Sequence, residues 1–114
     1  MFSEFLYFQA TSFAGSLSPL PIGLVELDAS FTLIDGGLDD STFSGLSNLN
    51  WVYLDGLTFN QSIPSGLATL PNLEYLYISD AKITGDLSYL PTMTKIIEHW
   101  ADRNPSLVSV YPTF

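Results

Sequence analysis

One segment of this chain occurs twice, as LYFQATSFAGSLSPLP at 6–21 and as LYISDAKITGDLSYLP at 76–91. Seven of the 16 aligned positions are identical, including Leu6/Leu76, Tyr7/Tyr77, Gly15/Gly85, Leu20/Leu90 and Pro21/Pro91. Self-similarity of this kind marks a repeat chain, in which each unit buries its apolar face only by stacking on a neighbour. It also sorts the residues into columns that share one surface.

Composition bounds what such a stack can be. A length of 114 residues makes one domain, or a piece of one. Hydrophobic residues form 46% and charged residues 13%, which excludes a disordered chain. No apolar run approaches the ~20 residues of a membrane-spanning helix. Twelve acids against three bases (Lys82, Lys95 and Arg103) give a formal charge of −9. Nucleic acid is therefore excluded as a partner, because phosphate neutralisation needs clustered Lys and Arg. With no cysteine there is neither a disulfide framework nor thiolate chemistry, and that absence fixes no compartment. The opening MFSEFLYFQATSFAG carries Glu4 and no basic n-region, unlike a signal peptide.

Between the two copies lies LSNLNWVYLDGLTFNQSIPSGLATLPNLEYLYI, with leucine-type residues at Leu46, Leu49, Val52, Leu54, Leu57, Leu70, Leu73, Leu76 and Ile78. This pattern resembles the leucine-rich repeat, in particular its plant-type subclass LxxLxxLxLxxNxLxGxIPxxLxxL. Ile63-Pro64 and Gly85 with Leu87 match the Gly-x-Ile-Pro segment, and Val110 and Pro112 match it more loosely. The template asparagine is replaced by Leu57 and Ala81 and survives as Asn104. Aligning the LxL cores gives five pairs: Leu6/Phe8, Val25/Leu27, Val52/Leu54, Leu76/Ile78 and His99/Ala101. The steps are 19, 27, 24 and 23 residues, and the long one is assigned to a polar loop around Asp35–Asp40.

The expected fold is thus an α/β solenoid, a right-handed leucine-rich-repeat superhelix. A short parallel β-sheet lines its concave face, and 3₁₀ or extended turns form its convex side. One domain, 1–114, divides into units at roughly 1–20, 21–46, 47–70, 71–90 and 91–114. Met93, Ile96, Ile97 and Trp100 also fit helical spacing after Pro91, which would make 92–103 a capping helix. Continuation of the template through Asn104, Leu107, Val110 and Pro112 favours a fifth repeat.

Residues flanking the core pairs line the concave face. Between the pair stand Tyr7, Glu26, Tyr53, Tyr77 and Trp100. After it come Gln9, Asp28, Asp55, Ser79 and Asp102; before it come Phe5, Leu24, Trp51, Tyr75 and Glu98. Aromatics beside carboxylates suit sugars, peptides or a protein partner's side chains, and Lys or Arg through cation–π contact. The plainer alternative is cross-strand packing of the rings. The candidate ligand-binding residues are Tyr7, Glu26, Asp28, Trp51, Tyr53, Asp55, Tyr75, Tyr77, Trp100 and Asp102.

No catalytic group is expected. His99 falls in a column of Leu and Val and reads as a buried, hydrogen-bonded histidine, and no serine or acid completes a triad. Asp28 and Asp55 are expected as neighbours in one column, without a third metal ligand. The Asp35–Asp40 cluster lacks calcium-loop spacing. No cofactor or metal is implied. Asn60-Gln61-Ser62 is a glycosylation sequon, relevant if the chain is secreted.

Neither end carries a recognisable cap, so a fragment of a longer array, a self-standing variant and end-to-end self-association all remain open. The resemblance implies an extracellular or cell-surface, receptor-like recognition module that binds a protein, peptide or glycan and is not an enzyme. A structural or assembly segment without its own ligand is the alternative.

Overall fold

The computed structural model describes residues 5–7, 14–16, 20–36, 40–86 and 88–108. Five three-residue strands form its main sheet: β1 (Phe5–Tyr7), β3 (Glu26–Asp28), β5 (Trp51–Tyr53), β6 (Tyr75–Tyr77) and β8 (Glu98–Trp100). All neighbours pair in parallel, in the order β1-β3-β5-β6-β8. Such short parallel strands need crossovers, and here these descend the other side of the molecule. Smaller parallel pairs lie on that return path. β2 (Ala14–Ser16) pairs with β4 (Leu33–Gly36), and β7 (Gly85–Asp86) with β9 (Leu107–Val108). Two single-turn helices, α1 (Asp40–Phe43) and α2 (Ser65–Ala68), lie against each other there.

Register runs through Leu6, Leu27, Val52, Leu76 and His99, at steps of 21, 25, 24 and 23 residues. The second unit therefore differs from the sequence alignment, because its inward pair is Leu27/Ala29 and not Val25/Leu27. The cause is Ala29, a small residue at a position where the other rows carry Leu54 and Ile78. All three are buried to the same degree. With no leucine at that place, the next LxL match lies two residues upstream. A two-residue slip preserves side-chain parity, so Glu26 and Asp28 keep their face and change only their column, while Leu24, expected on the concave face, precedes the strand and is buried in the core. The corrected pattern repeats cleanly: Leu24/Leu27/Ala29, Leu49/Val52/Leu54 and Leu73/Leu76/Ile78 are all essentially inaccessible.

The backbone repeats as well. The carbonyl of Val25 accepts N–H bonds from Asn50 and Trp51, that of Asn50 from Glu74 and Tyr75, and that of Glu74 from Ile97 and Glu98. Beyond each strand, Ala29, Leu54 and Ile78 donate to the carbonyls of Tyr53, Tyr77 and Trp100. Phe31, Gly56 and Asp80 then donate to Asp55, Ser79 and Asp102. Phe31, Gly56, Asp80 and Arg103 occupy the same place in four successive rows, and all four have left-handed φ, between 53° and 75°. This is the turn that swings the chain off the sheet.

One continuous core lies between the sheet and the return path, built from Leu27, Val52 and Leu76 on the strands and Phe43, Leu57, Ile63, Leu67 and Ile83 behind them. The surviving template asparagine, Asn104, is buried in it. Its Oδ1 accepts the N–H groups of Ala81 (2.9 Å) and Ile83 (3.0 Å), while Nδ2 donates to the carbonyls of Ile78 and Ala101 (both 2.9 Å).

One loop expectation changes, and of the two alternatives for 92–103 the capping helix is not found. Asp35 and Gly36 belong to strand β4 and Asp40 opens α1, so the acidic cluster is not one polar turn; 37–39 lie outside the described residues. The segment 98–100 is a strand, preceded by a 3₁₀ turn at Leu90–Thr92, and no helix spans 92–103. Helical spacing arises there because Met93 (buried) and Ile96 (partly buried) enter the core from a turn before the strand begins.

Candidate functional site

Strand residues alternate sides, so the residues flanking Leu27, Val52, Leu76 and His99 all emerge on the sheet's outer face. One column pairs Phe5, Glu26, Trp51, Tyr75 and Glu98. The next pairs Tyr7, Asp28, Tyr53, Tyr77 and Trp100. Glu26 and Asp28 have thus each moved one column from their expected places. Asp28 stands beside Tyr53, and it is not a column neighbour of Asp55. Phe8, Gln9, Leu87, Val110 and Pro112 lie outside the described residues, and Tyr7 is placed by its strand register alone.

The rings form a connected layer. Tyr53 and Tyr77 stack with centroids 4.7 Å apart and planes 13° from parallel. Trp51 meets Tyr75 edge-on at 4.9 Å, and Tyr53 at 6.3 Å. Tyr77 lies 6.5 Å from Trp100 at a 46° tilt. Trp100 remains 55% exposed and Trp51 37%, so the layer ends in accessible indole surface.

Carboxylates are interleaved with these rings. Glu98 Oε1 accepts both the Tyr77 hydroxyl (2.5 Å) and the Trp100 indole N–H (3.2 Å). That bond to Glu98 pushes the Tyr77 phenol up to about 12, with burial adding to it. Reciprocally, the Tyr77 and Trp100 donors hold the Glu98 carboxyl below its usual value. Burial raises the Tyr53 phenol, and the nearby charges of Glu26, Asp28 and Glu98 raise it further.

A third column, Ser30, Asp55, Ser79 and Asp102, follows the strands by three residues and links the rows laterally. The Asp55 N–H donates to Ser30 Oγ (3.1 Å) and the Ser79 N–H to Asp55 Oδ1 (2.7 Å). The Ser79 hydroxyl donates to Asp102 Oδ1, which draws the Asp102 carboxyl below its normal range. Asp55 moves the other way. Its partial burial dominates, and repulsion from Asp102 and Asp28 adds to it, against the Ser79 N–H bond. The sequence places Asp55, Ser79 and Asp102 in one column but gives Asp28 the place that Ser30 holds, and the hydrogen bonds joining them are not legible in it.

Elsewhere, His99 is partly buried, with Nε2 2.8 Å from the Tyr89 hydroxyl, and burial lowers its pKa. Asn60 is exposed on the return path, at a left-handed turn beside Lys82. Among the described residues, no group of three or more His, Asp or Glu side chains is placed to hold a metal ion. No helix among them is long and apolar enough to cross a membrane.

No protein-family model, curated protein or solved structure matches this chain. Function must therefore be argued from the outer face itself.

Proposed function

We propose that the chain is a leucine-rich-repeat-type solenoid of about five units that acts as a non-catalytic recognition module. It holds a peptide, glycan or protein partner on the outer face of the main sheet. The observation that carries this reading is the concentration of rings on the solvent side. Trp51, Tyr53, Tyr75, Tyr77 and Trp100 adjoin one another there, braced by Glu98 and flanked by Glu26 and Asp28. The sheet's buried side is filled by Leu27, Val52 and Leu76 without any of these rings, and a contiguous exposed ring layer commonly marks a contact surface. Tyr and Trp suit that use because they offer large rigid area at low entropic cost.

A second reading has its own support. The near-parallel stacking of Tyr53 on Tyr77 is what cross-strand stabilisation looks like, and it favours a structural or assembly segment whose rings serve the sheet alone. The two readings separate in a binding screen. The chain, displayed against peptide and glycan arrays, is expected to retain a ligand set that the Tyr53→Ala/Tyr77→Ala variant loses and an Asp86→Asn variant on the return path keeps. Identical array profiles for all three would end the recognition reading. An extracellular or cell-surface setting is part of the proposal, and it rests on resemblance alone.

A further inference from the structure

Glu98 is a surface glutamate on an edge strand, a setting in which such a side chain normally samples many rotamers. Here two donors from different strands converge on one of its oxygens, Tyr77 Oη at 2.5 Å and Trp100 Nε1 at 3.2 Å. Its other oxygen, Oε2, takes no hydrogen bond from the described residues. The carboxylate is therefore fixed beside the most exposed ring of the layer, with half its acceptor capacity turned to solvent.

No cation among the described residues pairs with it. The one salt bridge among the described residues is Arg103 with Asp102, at 3.4 Å. Glu26, Asp28 and Asp55 add negative charge on the same side of the sheet, and the chain as a whole carries −9. A cation above this surface gains attraction from the ring faces and from the carboxylates together.

Ring orientation narrows the ligand class. Tyr53 and Tyr77 cover each other's faces, and Trp51 and Tyr75 meet edge-on. A run of open ring faces, such as would stack a neutral glycan, is not presented. The more accessible of the two exposed indoles is that of Trp100, beside Glu98. A planar, weakly hydrated guanidinium can lie on an indole face while an N–H at its edge reaches Oε2 of the adjoining carboxylate, a combination better suited to Arg than to the compact, strongly hydrated ammonium of Lys.

We infer that the outer face recognises an arginine-bearing extended peptide, with the guanidinium stacked on Trp100 and hydrogen-bonded to Glu98 Oε2. The rest of the peptide crosses the Tyr77, Tyr53 and Trp51 rows. This inference rests on the recognition reading and specifies its ligand.

The test is fluorescence anisotropy with a labelled alternating arginine–alanine peptide, its glutamine-for-arginine counterpart and a neutral glucan oligosaccharide as probes. The arginine peptide is expected to bind, more weakly as salt is raised, and the other two are expected not to. Glu98→Gln should weaken that binding roughly tenfold, the scale of one charge-assisted contact with its stacked ring. Asp86→Asn removes the same unit of charge from the return path and should change binding less than about twofold, since distant exposed charges are screened. Equal weakening by the two variants would overturn the inference, reducing the effect to diffuse attraction by an acidic chain. Absence of arginine-peptide binding would overturn it as well. If the glutamine peptide or the glucan then bound in a Tyr53- and Tyr77-dependent way, the cation site would be wrong while the recognition reading stood.

Discussion

Asn104 shows how much one side chain does here. Its amide closes five hydrogen bonds to the backbone of the adjoining turns, and no buried side-chain polar atom among the described residues lacks a partner. Asn104→Ala would strand the N–H groups of Ala81 and Ile83 in a dry interior. At about 1–3 kcal/mol for each orphaned group, a loss of about 2–6 kcal/mol is expected in urea denaturation. A loss below about 1 kcal/mol would mean that water replaces the amide. Rows without the asparagine solve the same problem differently. Thr32 occupies the equivalent place after Leu27 and donates to the Ala29 carbonyl at 2.9 Å, within its own turn. Leu57 and Ala81 instead leave the turn to backbone bonds between rows, such as Phe59 N–H to the Ala81 carbonyl at 3.0 Å.

At the scale of the element, each row is a strand, a left-handed turn and a return. Gly56 sits at that turn with φ 75°, and a Cβ there would lie 2.4 Å from Cδ1 of the Phe31 ring. Gly56→Ala should cost about 1–2 kcal/mol for the backbone alone, with the displaced ring adding to it. In a Phe31→Ala background the penalty should fall back toward the backbone part, which a double-mutant cycle would measure. The last strand has a different weakness. His99 takes the place that Leu27, Val52 and Leu76 hold elsewhere, and burial depresses its pKa from 6.5. A depressed folded-state pKa contributes stability above the unfolded value, and that stability is lost as pH falls through the folded one. Melting temperature should therefore decline as pH drops below about 6.5. His99→Leu should remove that part of the decline and raise stability at neutral pH by filling the column with apolar surface. If the slope is unchanged, other groups set it.

At the scale of the whole molecule, the described residues share one parallel five-stranded sheet in a body of 42 × 28 × 21 Å, and the positions of several of its strands were legible beforehand. Leucine spacing marks three of the five main strands unambiguously, because Val52/Leu54 and Leu76/Ile78 have no competing match and Leu6 is fixed by the duplication with Leu76. The second strand was not legible, since Ala29 carries too little side chain to announce a core position. The face of Glu26 and Asp28 was legible even so, because a slip of two residues leaves parity intact, whereas Leu24, expected on the concave face, lies before the strand and is fully buried. What sequence could not supply is contact: the stacking of Tyr53 on Tyr77, the brace from Tyr77 to Glu98, and the ladder through Ser30, Asp55 and Ser79 all depend on distances between rows.

The central claim is that the outer rings are there for a ligand. It is tested most directly by following stability and arginine-peptide binding together in the Tyr53→Ala/Tyr77→Ala variant. The stacked pair contributes about 0.5–1.5 kcal/mol beyond its buried area. Loss of the stack and of the rings' partial burial should lower the melt while one cooperative transition is retained, with binding lost. A melt that collapses, or binding that survives at full strength, would contradict the account and leave the rings as part of the sheet's own packing.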